Sequence, residues 1–400
     1  MIYEKIMSGK KEDLYGKLGV SSQKEDVHEV IKHLDQGLFP GAFCKIVEDI
    51  RHKNKYCSVF HSDGAGTKTS LAYMYYKETG DLSVFKGIVQ DAMVMNIDDM
   101  LCVGATGPIF FSNNIGRNSN FIDGKVIDTI ISGYHEYAEV ISNLGLEVIM
   151  CGGETADVGD LVKTLIVDAS AFTTLKRKKV INAGDINKSD VIVGLASFGQ
   201  TSYEDNYNSG IGSNGLTLAR HGTLDHSYYE KFPECYDKNI DPELAFFGDH
   251  TLTESISNYN LDIGRALLSP TRTYTPVILE VLREYRDQIH GIIHNTGGGQ
   301  TKCLKFGKEV KYIKDSLFKL PRIFRIIQKS SNTTWREMYQ VFNMGHRLEF
   351  YCNEDIANEI IKYADKFNLE AKIIGHCEKN KVAKQNSLKI DSDYGEFEYS

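Results

Sequence analysis

The sequence predicts a two-domain protein of mixed α/β (α+β) class. Its 400 residues suit about two or three domains, and 42% hydrophobic with 25% charged residues is ordinary globular composition. Strand-like and helix-like segments follow one another without strict alternation, which favours two mixed domains over a repeated barrel. A charged run at 176–179 precedes a new hydrophobic stretch from Asp190. We therefore expect an arm over 1–35, a first domain over 36–180 and a second domain over 181–400.

The elements of the first domain follow from apolar spacing and from residues that end helices and strands. Residues 56–61 form an apolar strand that we expect to stop at the turn residues 62–64. Apolar residues at three- and four-residue spacing predict a helix over 84–103. Asp123 is a suitable N-cap for a helix over 124–144, which Gly145 ends. Further strands are predicted at 109–112, 146–151 and 161–174.

The second domain begins with an apolar strand after Asp190 and then mixes helices and strands. Residues 269–272, Ser-Pro-Thr-Arg, look like the start of a helix over 271–284. A helix is also predicted at 354–367, and the strands are predicted at 190–195, 291–294, 348–351 and 371–375.

Composition excludes several classes of function. The chain carries 46 Lys and Arg against 54 Asp and Glu, a net charge of −8, which disfavours a general nucleic-acid binder. Its eight cysteines form no C-x-x-C pair, which disfavours a zinc ribbon and suits a reducing cytosol. No run of about 18 apolar residues is present, so we expect no membrane span and a cytoplasmic protein.

Two familiar glycine motifs fail on their context. Residues 64–69 resemble a phosphate loop, but Thr67 stands where that motif needs glycine before the lysine. Residues 210–215 match G-x-G-x-x-G, but a polar stretch precedes them where a dinucleotide fold has a strand. Neither motif therefore identifies a nucleotide site by itself.

A glycine-rich turn at 62–68 is the first of three segments that indicate a site. Its backbone could approach phosphate oxygens closely, with Lys68 as a point charge and Asp63 as a magnesium ligand. An ordinary Asx turn with a surface lysine would have the same sequence.

Carboxylates in apolar surroundings form the other two segments. Asp91 and Asp98 share one face of the 84–103 helix, with Asp99 beside them, and buried carboxylates need partners such as a divalent cation. Glu154 and Asp157 follow the glycines that end a buried strand. A polar helix face and a capped turn are the alternative explanations. Taken together, the three segments predict one site for ATP phosphates and Mg²⁺.

Eight strings, in this order along the chain, resemble the aminoimidazole ribonucleotide synthetase family, the phosphoribosylformylglycinamidine cyclo-ligases of purine biosynthesis. The resemblance extends from about residue 40 to 376. The strings are SDGAGTK (62–68), QDAMVMNIDDML (90–101), GGETAD (152–157), DVIVGLAS (190–197), SNGLTLAR (213–220), LLSPTRTY (267–274), HNTGGG (294–299) and EMYQVFNMG (337–345).

This resemblance implies a two-domain ATP-dependent synthetase fold, with N-terminal domains joined into a β-barrel in a homodimer. It implies ATP and Mg²⁺ as cofactors, formylglycinamidine ribonucleotide as substrate, and catalytic roles for Lys68 and Asp99. The implied ATP-binding residues are Asp63, Gly64, Gly66, Thr67, Lys68, Asp91, Gly152, Gly153 and Glu154. The implied metal ligands are Asp63, Asp91, Asp99, Glu154 and Asp157. The implied substrate residues are Ser213, Asn214, Thr271, Arg272, Gly297, Gly298 and Gly299.

The chain departs from the family pattern at several positions. The family's Asn-Asp pair reads Asp98-Asp99, and the family His before Ser-Asn-Gly is replaced by Gly212. His221, His250 and His346 are candidates to compensate. An insertion at 200–211 precedes this position, and we expect it either to close over the substrate as a lid or to be a passive surface loop.

Other functions were weighed against ring closure. A selenophosphate synthetase would need a reactive Cys in an N-terminal glycine-rich loop, and Cys44 lacks that setting. A hydrogenase-maturation relative would end in a Cys-bearing tail, which this chain lacks, and the amidotransferase of the preceding step is much longer. A catalytically silent nucleotide-binding paralogue is the alternative from a different class.

Overall fold

The computed structural model describes residues 13–21, 30, 33–257, 259–381 and 384–400. Most of the predicted N-terminal arm lies outside these residues. The part that is described, 13–21, contains the short helix α1, Leu14–Lys17, which Asp13 caps through its side chain. The Tyr15 backbone N–H donates to Glu337 Oε1 at 2.8 Å, so this segment is attached to the C-terminal half.

The N-terminal half is built on a five-stranded sheet of order β1-β2-β5-β3-β4. Only the β3–β4 pair is parallel. Buried and exposed residues alternate along β5, as expected of a sheet covered on one face. The strands are β1 Ile46–Glu48, β2 Tyr56–Gly64, β3 Ile109–Arg117, β4 Val148–Asp157 and β5 Leu165–Lys176, and the helices are α2 Lys68–Thr79, α3 Val84–Cys102 and α4 Gly124–Asn143.

Helix α3 is the centre of the molecule, because it packs on β2 and β5, on α4, and on strand β7 (Ile289–His294) of the other sheet. Sixteen of its residues are buried, among them Asp91, Asp98 and Asp99. A helix that is apolar on all sides is typical of such a position. The carboxylates on it are therefore interior groups.

The C-terminal half contains a seven-stranded sheet of order β12-β11-β8-β10-β6-β9-β7, antiparallel except for the β8–β11 pair. The strands are β6 Val191–Ala196, β7, β8 Val310–Lys314, β9 His346–Cys352, β10 Ala371–Lys379, β11 Ser387–Ser392 and β12 Gly395–Tyr399. The helices are α5 Leu216–Thr223, α6 Ser227–Lys231, α7 Ile263–Leu268, α8 Thr275–Tyr285, α9 Arg322–Ser331, α10 Trp335–Val341 and α11 Glu354–Asp365. Short 3₁₀ turns occupy Arg177–Lys179, Ala183–Asp185, Pro242–Leu244, Arg286–Gln288 and Gly299–Lys305.

Several predicted boundaries are wrong, and three of them lie next to a proposed site. Strand β2 continues to Gly64, and β4 continues to Asp157, because residues 62–64 and 153–157 are paired with a neighbouring strand. Helix α8 begins at Thr275, with Pro276 in its first turn, so residues 269–274 are an extended approach to the helix. Neighbouring strands and a later proline thus override the local turn signals.

The outer face of the first sheet is apolar and exposed. Phe60, Phe172 and Phe110 form a row across β2, β5 and β3, and Phe60 is 65% exposed. Phe110 is 44% exposed, and Ile166 on the same face is 43% exposed. These four side chains form the aromatic face of the first sheet. Within one chain the sheet is open and does not close into a barrel.

No helix in the described part of the chain is both long enough and apolar enough to cross a membrane.

Candidate active site

A cleft of about 480 Å³ lies between the first sheet and the loops of the C-terminal half. The end of β2, the turn after it and α3 form one wall, and segments 213–217 and 296–298 form the other. Tyr15 and Val20 of the N-terminal segment also line it. Its polar and glycine lining residues are Ser21, His61, Asp63, Gly66, Thr67, Asp99, Ser213, Asn214, Gly215, Thr217, Thr296, Gly297, Gly298, Lys302 and Lys305.

The turn after β2 leads the chain from the sheet into the N-terminus of α2. Position 64 favours glycine, since a Cβ there would lie 2.8 Å from the Val167 carbonyl oxygen and 1.7 Å from Asp168 Oδ1. Gly66 has φ +55° and nothing within 4 Å of a Cβ position, so its backbone is open to the cleft. Thr67 precedes the first residue of α2 and shares a hydroxyl hydrogen bond of 3.1 Å with Thr217. A glycine turn at the N-terminus of a 12-residue helix suits a phosphate group.

Asp99 is held on the cleft wall by two histidines. Its Oδ1 accepts from His294 Nδ1 at 2.7 Å, and His61 Nε2 lies 3.5 Å from Oδ2. Burial alone would raise the pKa of Asp99, but the hydrogen bond from His294, with His61 and Lys302 nearby, reverses this and lowers it. Asp99 is therefore an anion at neutral pH.

His294 connects Asp99 to a buried arginine. Arg347 Nε donates to His294 Nε2 at 2.9 Å, so Nε2 has no proton and Nδ1 carries it. Burial lowers the pKa of His294 to about 4; Asp99 opposes this shift and Arg347 adds to it. Two hydrogen bonds thus place the neutral imidazole of His294 between the anionic carboxylate of Asp99 and the cationic guanidinium of Arg347.

Lys302 is a half-buried cation of the cleft. Its Nζ donates to Thr296 Oγ1 at 2.9 Å and lies 5.2 Å from the centre of the Phe43 ring. Burial lowers the pKa of Lys302, while the carboxylates of Asp99 and Asp63 raise it. The ammonium thus completes a set of opposite charges around the cleft.

Four of the predicted substrate residues line the cleft, namely Ser213, Asn214, Gly297 and Gly298. Gly298 has φ +95°, a conformation that favours glycine. Gly299 does not line the cleft; a Cβ there would lie 2.5 Å from the Phe342 carbonyl oxygen, so this glycine allows close packing of two backbones.

Lys68 does not point into the cleft, contrary to the sequence-based expectation. It is fully buried, and its ammonium donates to Asp91 Oδ1 and to the carbonyl oxygens of Gly212 and Ser269 at 2.7–3.0 Å. Asp91 also accepts from the backbone N–H and hydroxyl of Thr271 at 2.7 and 2.6 Å. These three predicted ligand-binding residues instead join α2, α3 and the 269–274 segment, because the buried Lys68 ammonium on α2 and the buried Asp91 carboxylate on α3 must be paired.

Arg272 is likewise used inside the protein. Its guanidinium pairs with Glu204 of the insertion at 2.5 Å and donates to the carbonyl oxygens of Ala196, Phe198 and Gly199. It is 2% exposed and has no donor left for a substrate.

The 200–211 insertion is neither a lid nor a passive loop. None of its residues lines the cleft. Beyond the Glu204 ion pair, Asn208 donates to the Pro270 carbonyl at 2.8 Å, and Ser209 donates to the Ala266 carbonyl at 2.6 Å. The insertion therefore fixes the 266–273 segment from behind.

Glu154 is far from Asp63 within one chain. Asp63, Ala169, Asn113 and Gly153 are paired in one row across four strands, which separates Asp63 from Gly153 by about 14 Å. Glu154 is the next residue along β4, so it points to the opposite face of the sheet.

The other residues of this segment also lie away from the cleft. Asp157 pairs with Arg117 at 2.6 Å, and Gly152 lies in the exposed edge strand β4. The single site that the sequence predicted is thus divided: Asp63 and Asp99 line the cleft, Asp91 lies behind it, and Glu154 and Asp157 lie across the sheet.

The three histidines considered as replacements for the family His are not at the cleft. His221 is buried beside Arg220 and Phe246, and burial holds its pKa well below the usual value. His250 pairs with Glu254, and His346 donates from Nε2 to Glu349 within strand β9.

Sequence reasoning did not single out His61, His294, Lys302 or Arg347 as site residues. His294 was part of the HNTGGG string, and Lys302 lies just after it, so proximity to that string was the one available signal. Arg347 lies in a strand, 53 residues or more from the residues to which its side chain donates.

The cleft offers the carboxylates with which nucleotide sites usually bind Mg²⁺. Mg²⁺ is commonly bound by one or two carboxylates together with phosphate oxygens and water. Asp63 and Asp99 would supply the carboxylates. Among the described residues, no group of three or more His, Cys, Asp and Glu side chains is arranged to hold a metal without such a ligand.

The chain matches two models of one protein family. Residues 42–174 match the AIR synthase related protein, N-terminal domain, and residues 187–384 match the AIR synthase related protein, C-terminal domain. The phosphoribosylformylglycinamidine cyclo-ligase of Methanocaldococcus jannaschii is 30% identical over 320 residues, which is 80% of this chain and 78% of the relative. That of Carboxydothermus hydrogenoformans is 28% identical over 343 residues, 85% of each chain.

Solved structures agree in fold. AaThiL complexed with AMPPCP and TMP superposes with a TM-score of 0.53 at 11% identity, covering 94% of this chain and 97% of that one. T. maritima PurL complexed with FGAR superposes with a TM-score of 0.51 at 15% identity, covering 94% of this chain but 49% of the PurL chain. This chain thus spans about half the length of PurL. On the two matching domains and the 30% identity over most of both chains, this protein belongs to the AIR synthase related family, among the phosphoribosylformylglycinamidine cyclo-ligases.

Proposed function

We propose that the protein is an ATP-dependent cyclo-ligase that converts formylglycinamidine ribonucleotide to aminoimidazole ribonucleotide, a step of purine biosynthesis. The observation that carries this proposal is the cleft, in which Asp63, Asp99 and Lys302 face the substrate-side residues Ser213 and Asn214. The relatives with this name are 27–30% identical to the chain over about four fifths or more of its length.

In the proposed reaction, the formyl oxygen of the substrate attacks the γ-phosphorus of ATP, and the bond from that phosphorus to the β,γ-bridging oxygen breaks to release ADP. A nitrogen of the amidine side then attacks the activated formyl carbon, the C–O bond breaks, and inorganic phosphate leaves. The protein needs no nucleophile of its own. It contributes by holding both reactants in line and by neutralising the charge of the phosphoryl group.

Individual residues take their proposed roles from their positions. The Gly66-Thr67 turn at the N-terminus of α2 would receive phosphate oxygens through its backbone. Lys302 would supply the positive charge that the sequence had assigned to Lys68. Asp63 and Asp99 would hold Mg²⁺, which brings the charge that ATP phosphates require. Ser213, Asn214, Gly297 and Gly298 would contact the ribosyl substrate.

We further propose that the protein is a homodimer formed through the aromatic face of the first sheet. Phe60, Phe110 and Ile166 are large apolar side chains on a face that no helix of the described residues covers, and exposed patches of this kind mark interaction sites. A second copy of the chain suits it, because the family resemblance implies a barrel of two such sheets. Glu154 lies on this outer face, so we retain it as a residue that a partner could bring to a nucleotide.

The domain limits and the compartment are also proposals. A boundary at 180–181 is supported by the last strand of one sheet ending at Lys176 and the first of the other starting at Val191. A cytoplasmic location is supported by eight free cysteines, as expected of a reducing compartment.

The test of the proposed function is a coupled assay with purified protein, ATP, Mg²⁺ and formylglycinamidine ribonucleotide. We expect ADP and aminoimidazole ribonucleotide in equal amounts. ADP release without the imidazole product would indicate a different acceptor. Nucleotide binding without turnover would indicate a silent paralogue.

A further inference from the structure

Arg347 is a buried cation that makes no direct ion pair within the described residues, although the carboxylates of Asp91, Asp98 and Asp99 act on it from a greater distance. It is 1% exposed, and no carboxylate of the described residues lies within ion-pair distance of it. Its Nε donates to His294, and its Nη2 donates to Asn214 Oδ1 at 2.9 Å and contacts Met95 Sδ. Nη1 has no hydrogen-bond partner among the described residues. Burying an unpaired guanidinium is costly, so the arrangement suits a site that an anion completes.

The free nitrogen lies next to Gly212. A Cβ at Gly212 would lie 1.9 Å from Arg347 Nη1, so the guanidinium occupies the space that a side chain at position 212 would need. The family pattern has a histidine at this position. Arg347 therefore stands where the family's missing side chain would begin, although it comes from strand β9.

The neighbouring residue offers a second unused donor. Ser213 Oγ is buried and lacks a hydrogen-bond partner in the described part of the chain, and Ser213 lines the cleft. Met95 and Asn214, which both contact the guanidinium, line the cleft as well. Arg347 thus lies directly behind the cleft wall that Met95 and Asn214 form.

We propose that Arg347 is a further substrate-binding residue, whose Nη1 acts with Ser213 Oγ to bind a phosphate oxygen in place of the family histidine at position 212. This inference rests on the proposed function for the identity of the ligand. The planar, always charged guanidinium suits phosphate oxygens better than a point charge does. The oxygen belongs either to the 5-phosphate of the ribosyl substrate or to the phosphoryl group of ATP, and the experiment separates these two sources.

The experiment measures binding of D-ribose 5-phosphate and of Mg-ATP by calorimetry to the wild type, Arg347→Gln and Arg347→Lys. We expect Arg347→Gln to weaken one of the two ligands by about tenfold or more, with Arg347→Lys in between. Loss of ribose 5-phosphate assigns the ribosyl phosphate, and loss of Mg-ATP assigns the phosphoryl group. Unchanged affinity for both, in a variant with the wild-type melting temperature, would overturn the proposal.

Arg220 provides a matched control. It is also a buried arginine with no carboxylate partner in the described residues, and it has two unpaired nitrogens, but it lies outside the cleft. Arg220→Gln should leave both affinities unchanged. An equal loss in Arg220→Gln would mean that removal of any buried charge weakens binding, and the specific role of Arg347 would be rejected.

A pair of variants tests whether Arg347 takes the place of the family histidine at position 212. Gly212→His alone should lose kcat/KM, because its Cβ overlaps Nη1. In an Arg347→Ala background the overlap is removed, and only the strain of a side chain at φ +70° remains. We expect the double variant to recover about tenfold of the kcat/KM that Arg347→Ala loses. A folded double variant without recovery would contradict the replacement. Phosphate binding by a wild type that forms no product would refute the proposed function but leave the role of Arg347 intact.

Discussion

Two lysines show how position decides the role of a residue. Lys68 belongs to the glycine-rich motif but is buried in an ion pair with Asp91, whereas Lys302 belongs to no recognised motif and lines the cleft. A motif specifies backbone conformation near the ligand. It does not specify the direction of a long side chain, which depends on the elements packed around it.

Lys302→Ala should weaken Mg-ATP binding by about tenfold or more, because one charged contact to phosphate is lost. Calorimetry measures the affinity. Lys188→Ala, at an exposed position outside the cleft, is the matched control and should bind as the wild type does. Unaltered affinity in a folded Lys302→Ala protein would rule out a phosphate contact.

Lys68→Ala should act on stability first. It leaves Asp91 buried without its counterion, which typically costs about 3–5 kcal/mol. Urea unfolding measures the loss. If Lys68→Ala unfolds at the wild-type urea concentration and loses only ATP binding, the sequence-based role of Lys68 would be right after all.

Asp98 should make the protein less stable as the pH rises. Burial raises its pKa from 3.8 to about 7; hydrogen bonds from Thr273 and Tyr274 partly oppose this. A raised folded-state pKa contributes stability that is complete below about pH 4 and is lost as the pH rises through 7, at up to about 1.4 kcal/mol per pH unit. The depressed pKa of His294 acts in the opposite direction.

Asp98→Asn isolates this effect, since it introduces the family residue and removes the titration. The difference in unfolding free energy between wild type and variant should change between pH 5 and 8, in favour of the variant at high pH. A difference that is constant over this range would show that Asp98 is ionised throughout.

The insertion at 200–211 holds the 266–273 segment in place through side-chain hydrogen bonds and an ion pair. Glu204 reaches Arg272 and thereby fixes the segment that also holds Asp91 through Thr271. Positional reasoning placed this insertion over the cleft because it precedes Ser213 in sequence. The chain instead turns back through glycines 210 and 212, both with positive φ, and the insertion packs on the other side.

Glu204→Gln should destabilise the protein by about 3–5 kcal/mol, because the Arg272 guanidinium loses its buried counterion. Thermal and urea unfolding measure this loss. Asp205→Asn, the exposed neighbour, is the control and should be nearly neutral. Normal stability with reduced turnover in Glu204→Gln would instead favour the lid.

Helices were easier to predict from sequence than the ends of strands. The 84–103 helix and the Asp123 cap of α4 are confirmed, since apolar spacing and a capping side chain are local properties. Strands β2 and β4 extend past their glycines because the partners that pair with them lie more than 35 residues away in sequence. A local reading of turn residues has no access to such partners.

The site was predicted in part for the same reason. Asp63 and Asp99 were assigned from their motifs, and the fold brings them to one cleft. His294 and Arg347 reach Asp99 only through the pairing of β7 with β9, and Glu154 is removed from Asp63 by the order of strands in the first sheet. Sheet order is a property of the whole chain.

For the whole molecule, Phe60→Glu combined with Phe110→Glu should convert the proposed homodimer into a monomer, because charge would be buried in an apolar interface. Analytical ultracentrifugation at micromolar concentration measures the mass. Ile50→Glu, which is 67% exposed outside the sheet, is the control and should remain dimeric. A wild-type protein that sediments as a monomer with full turnover would contradict the dimer.

The strand order also leaves β4, a ten-residue strand with mostly exposed residues, at one end of the first sheet. Its outward backbone groups are a template on which any extended peptide can add a strand. Dissociation of the proposed homodimer would expose the row of phenylalanines beside this edge, a combination typical of aggregation-prone surfaces. Dilution or heating that separates the proposed dimer should therefore lead to precipitation before unfolding. The time that the protein stays in solution would then depend on its concentration more than on the unfolding stability of either half.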